Sequence, residues 1–152
     1  MTSTPNIPDF PIARALLAVG GVSAVLGLLA WFGMNALGLP AQAHDAAVTL
    51  AAVSLAGVAG LLLVRPMEAR MPGGAAWGFL AGSLVRLPLC AVFVFAAPRL
   101  KWTQGASVAD WLAGWYVLLT LVEAAIVGRH VKQTAAARAV ALRGAPPAEV
   151  LS

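Results

Sequence analysis

From residue 15 to residue 43 the chain runs for 29 positions without one charged side chain. A helix rises 1.5 Å per residue, so a run of that length more than spans a hydrocarbon layer about 30 Å thick. A second uncharged run covers the 19 residues from 46 to 64, which is also enough to cross. Two further apolar segments, 76–97 and 111–128, carry one charge each, Arg86 and Glu123. Composition points the same way. Of the 152 residues 61% are hydrophobic and 11% charged, against about 25% charged in a soluble domain. Six acidic and ten basic residues cannot cover a water-soluble globule of this length.

The expected fold is all-α, with four transmembrane helices at about 12–37, 46–64, 76–97 and 111–128, arranged as two hairpins. Residues 1–11 hold Pro5, Pro8 and Pro11 and are expected to form a disordered arm. Residues 129–152 are expected as a basic tail, alanine-rich and helical for a few turns, breaking at 144–147. Gly38-Leu39-Pro40 is read as the stop of the first helix, and Arg65-Pro66 as the end of the second. His44 and Asp45 then fall on a loop and are expected to be a solvated pair. Ala41-Gln42-Ala43 has the small-x-small form of a cleavage site. The apolar run before it is much longer than the roughly 7–15 residues of a signal-peptide core, and only Arg14 precedes it, so a retained span is the favoured reading.

Orientation follows from the basic residues outside the spans. Arg14, Arg65, Arg70, Arg129, Lys132, Arg138 and Arg143 share one side, and Arg99 and Lys101 the other. Seven against two puts both termini in the cytoplasm. Trp102, Trp111, Trp115 and Tyr116 would then sit at the outer interface and Trp77 at the inner one, as aromatic belts do. The net charge of +4 is explained by this asymmetry, and no nucleic-acid partner is expected. A basic tail favours anionic inner-leaflet lipid.

A charge in hydrocarbon costs at least about 2.5 kcal/mol and normally faces a partner or water. Arg86 lies about ten residues into the third span and Glu123 six residues before Arg129. Antiparallel helices lean these side chains toward each other, because each tilts toward its own amino terminus. They are expected as an intramembrane pair, with Ser83 and Thr120 on the same faces as supporting hydroxyls. Gly78 and Gly82 form a GxxxG step; Ala52, Ala56 and Gly60 repeat the spacing, as do Gly20 with Ala24 and Ser23 with Gly27. Such small residues let helix backbones approach, and packing within the bundle is the favoured use. Cys90 reads as an apolar filler. His44 and His130 lie on opposite sides, so no metal site, cofactor or catalytic set is expected.

Gly82-Ser83-Leu84-Val85-Arg86, followed by a tryptophan-led fourth span and a basic tail from Trp115 to Lys132, resembles ATP synthase protein I. The family carries a glycine, a polar residue and then a basic residue in its third helix. The resemblance covers about residues 75–132. It departs where relatives have an acidic residue before the basic one, since Ser83 stands here and the acid is Glu123. It implies a helper in assembling the c-ring of a bacterial F-type ATP synthase, in the bacterial cytoplasmic membrane, with the c subunit as partner. The alternatives are a small Mg²⁺ or proton channel, which four helices could form only as a homo-oligomer, and a structural subunit of another membrane complex. In the channel, Thr49, Ser54, Ser83, Arg86, Thr120 and Glu123 would line the path.

Overall fold

The computed structural model describes residues 10–71, 74–104 and 107–144, and for 141–144 the backbone alone. Five helices follow one another: α1 (Ile12–Ala36), α2 (Pro40–Leu62), α3 (Val64–Arg70), α4 (Gly74–Arg99) and α5 (Val108–Gly144). No strand occurs among the described residues. Four stretches are long and apolar enough to cross a membrane: Ile12–Ala36, Pro40–Arg70, Gly74–Arg99 and Val108–Val140. Positions 1–9 of the expected arm, the turn at 72–73 and the tail beyond Gly144 lie outside the described residues. The last part of that arm is not free, because Phe10 is buried.

Helix boundaries correct the sequence reading in two places. The second helix begins at Pro40 and not at residue 46. Pro40 starts this helix, since proline is favoured at the first helical position, where its missing N–H has no partner to lose. Gly38 alone ends α1. With φ at 74° it sits in the left-handed region, and it closes a Schellman turn: Leu39 N–H donates to Met34 O at 2.9 Å and Gly38 N–H to Asn35 O at 3.0 Å. The loop shrinks accordingly, and His44 and Asp45 are helical. Next, Arg65-Pro66 does not terminate the second span. Pro66 cannot donate to Leu62 O, so the helix breaks at Leu63 and resumes as α3. Beyond the fourth span α5 continues as the helical tail expected from the sequence. The alanine-rich sequence there carries the helix to Gly144.

Helix α2 is the hub, packing against α1, α4 and α5, while α1 and α4 flank it. The core is layered. Leu50, Val53, Cys90, Leu112, Trp115 and Leu119 pack in one half. Phe10, Val19, Leu61, Val64 and Val127 pack in the other. Between them lies a polar layer. The outward surface is the reverse of a soluble protein's: Leu17, Phe32, Leu84 and Phe95 are exposed, whereas Arg86 is the largest fully buried side chain among the described residues.

Candidate functional site

The polar layer is built around Arg86 of α4 and Glu123 of α5, exposed by 1% and 0%. Arg86 Nη2 donates to Glu123 Oε2 in an ion pair. Arg86 Nη1 donates to the Thr120 hydroxyl at 3.1 Å, one turn along α5. The guanidinium carbon lies 5.8 Å from the centre of the Tyr116 ring, within range of a cation–π contact. Tyr116 therefore lies against the guanidinium of the polar layer. Ser83 does not support the pair: its hydroxyl returns to Phe79 O at 3.0 Å on its own helix. Arg86 Nε and Glu123 Oε1 have no hydrogen-bond partner among the described residues.

Glycines make room for this layer. A Cβ on Gly60 would stand 3.2 Å from Arg86 Nη2 and 3.2 Å from Gly82 O, and a Cβ on Gly82 would stand 2.6 Å from Gly60 O. Gly60 and Gly82 thus bring the backbones of α2 and α4 into contact, as small residues allow. Gly57 makes room for the Glu123 side chain of α5, since a Cβ there would meet Glu123 Oε1 at 2.6 Å. Sequence reasoning passed over Gly57, although its spacing of three from Gly60 puts both on one face. Gly78 packs against Val64, its Cβ position 2.5 Å from the Val64 Cα. Ala56 is buried in the half of the core that holds Trp115 and Ala52 is half-buried. On α1, Gly27 faces Leu50, and Ser23 receives a hydrogen bond from Ser54 at 3.0 Å. Gly20 and Ala24 face outward.

Each end of the bundle has its own polar clasp. At one, Asp45 of α2 is fully buried and accepts the Gln104 N–H at 2.7 Å. His44 Nε2 lies 3.1 Å from Trp102 O, and Trp115 Nε1 donates to Ala46 O at 3.0 Å. The expected solvated pair instead anchors residues 102–104, because the helix starts early enough to carry it inward. Thr49, offered above as path lining, donates to Asp45 O at 2.7 Å. At the opposite end Glu68 of α3 joins two elements. One oxygen lies 2.6 Å from His130 Nε2 on α5 and the other accepts the Phe10 N–H at 3.0 Å. The Phe10 ring meets His130 edge-on at 5.2 Å. His44 and His130 therefore belong to opposite ends, and no cluster of three His, Cys, Asp or Glu occurs among the described residues.

Fold and interior together define a multi-pass helical membrane protein whose mid-depth charges meet in one layer of its core. Compared with family models, with curated proteins and with solved structures, the chain matches none.

Proposed function

We propose that the protein is a non-catalytic helper that assists assembly or stability of a larger membrane complex through helix contacts in the bilayer. One observation carries this reading. The charges at mid-depth are engaged with each other inside the bundle, while the outward faces of α1 and α4 are broad and apolar. Such a surface packs against helices or lipid and offers no chemistry of its own. The resemblance supplies the partner, the c subunit of a bacterial F-type ATP synthase, and the location, a bacterial cytoplasmic membrane. The seven-to-two distribution of basic residues supports termini on the cytoplasmic side.

Photo-crosslinking in the native membrane tests this reading. Leu84 and Val92 are 69% and 64% exposed on α4, so a crosslinking side chain at either should yield an adduct of the mass of a c subunit. Absence of that adduct, with normal c-ring formation in cells lacking the protein, would overturn the c-ring reading. The structural subunit of another complex would appear as an adduct of different mass.

A second reading rests on the two partnerless atoms. Arg86 Nε and Glu123 Oε1 are a buried donor and acceptor, which a passing ion or water could engage in an oligomeric Mg²⁺ or proton channel. Flux into liposomes that disappears with Arg86→Gln would favour transport over assembly.

A further inference from the structure

We infer that the cleft between α4 and α5, near the end of the bundle that carries Lys132, binds one anionic phospholipid, with an acyl chain in the cleft and the headgroup at Lys132 and Arg129. This inference is independent of the assembly reading. The cleft has a volume of about 480 Å³, and Phe79, Leu80, Val127, Gly128 and Val131 line it with Lys132 at one end.

Its opening has a physical cause. Arg86 and Glu123 tie α4 to α5 at mid-depth. Beyond that layer Gly78 sets α4 directly onto the α3 backbone at Val64, and on its other side the cleft opens toward α5. On the α5 side Ala124, Val127, Gly128 and Val131 line the gap, and at Gly128 an added Cβ would meet nothing within 4 Å. Protein interiors are close-packed, with few voids larger than a water molecule. An apolar gap open to the bilayer is filled by hydrocarbon.

Charge decides which lipid. Lys132 lies three residues after Arg129, so the two are neighbours on the helix surface, and both are exposed. Neither takes part in an ion pair among the described residues. The facing first turn of α4 has no acidic residue, and Glu68 is occupied by His130 and Phe10. A phosphate carrying net negative charge at the head of the chain completes the site, and a zwitterionic headgroup completes it less well.

Native mass spectrometry of the full-length protein in detergent, titrated with phosphatidylglycerol or phosphatidylcholine, tests the site. One phosphatidylglycerol should be retained per chain, at least fivefold more tightly than phosphatidylcholine. Lys132→Ala should weaken it about fivefold, the usual contribution of one basic residue at an anionic surface, and Lys132→Arg should restore it. Gly128→Leu places a side chain in the open cleft and should weaken retention tenfold or more with an unchanged melting temperature. Gly128→Ala leaves room and should bind as the parent does. Equal binding of the two lipids would overturn the proposal, as would parental retention in both Lys132→Ala and Gly128→Leu. So would a crosslink between two copies through Gly128→Cys in a Cys90→Ala background, which would put a second chain in the cleft.

Discussion

Arg86 is held from three directions, by the Glu123 carboxylate, the Thr120 hydroxyl and the Tyr116 ring. Removing the carboxylate leaves a buried cation whose remaining partners are neutral. Breaking one side of a buried pair typically costs about 3–5 kcal/mol, whereas replacing both sides with apolar residues of similar volume is often close to neutral. Glu123→Ala should therefore lower the melting temperature in detergent sharply, and Arg86→Met with Glu123→Leu should recover much of the loss. Equal melting of Glu123→Ala and the parent would show that the pair does not support the fold. Gly57 gives a second residue-scale prediction. A methyl at 2.6 Å from Glu123 Oε1 must displace a carboxylate already fixed by Arg86. Gly57→Ala should thus destabilise, while Gly20→Ala, where an added Cβ meets nothing, should be neutral or mildly stabilising, since glycine in a helix costs roughly 0.5–1 kcal/mol relative to alanine. Thermal melts of the two variants side by side decide it.

Between α2 and α4, the backbones meet at Gly60 on Gly82. An added Cβ on Gly82 would meet backbone atoms of Gly60 at 2.6, 2.8 and 2.9 Å, and backbone cannot swing aside as a side-chain end can. Gly82→Ala should force α2 and α4 apart and cost more than Gly57→Ala, with overpacking of this kind typically worth about 1–3 kcal/mol. A disulfide-trapping scan across the α2–α4 seam would register the separation as lost crosslinking. The number of spans, the Arg86–Glu123 approach and the use of Gly78 and Gly82 in packing could be argued from spacing, because depth along a helix is arithmetic in rise per residue. Rotation about the axis is not. It decides that Ser83 turns back to Phe79, that Gly57 and not Ala52 faces Glu123, and that Tyr116 lies by the guanidinium. The Asp45 and Glu68 clasps were illegible for a different reason. Each joins residues 58 to 62 positions apart, and each depends on a helix start or break that Pro40 and Pro66 disguised. Glu68 satisfies two elements at once, so Glu68→Ala should release both Phe10 and His130. Faster proteolysis near Phe10 would report it.

At the scale of the whole molecule, polarity is inverted: the buried set includes Asp45, Thr49, Arg86, Glu123, His130 and Thr134, while 26 large apolar side chains are exposed among the described residues. That inversion fixes a bilayer as the surrounding medium but is indifferent to which end faces which compartment. The basic residues break the tie. Arg14, Arg65, Arg70, Arg129 and Lys132 gather toward the Glu68–His130 end, whereas Arg99 and Lys101 lie by the 100–107 connection. Basic residues in short flanking segments are retained on the cytoplasmic side during insertion, so the Glu68–His130 clasp should face the cytoplasm. Cys90 is the sole cysteine and is buried, which makes a thiol-free Cys90→Ala background simple to prepare. In that background a membrane-impermeant maleimide should label Lys101→Cys in intact cells and label Gln133→Cys only after permeabilisation, both positions being exposed. The opposite pattern would reverse the orientation and move the lipid cleft at Lys132 to the outer leaflet.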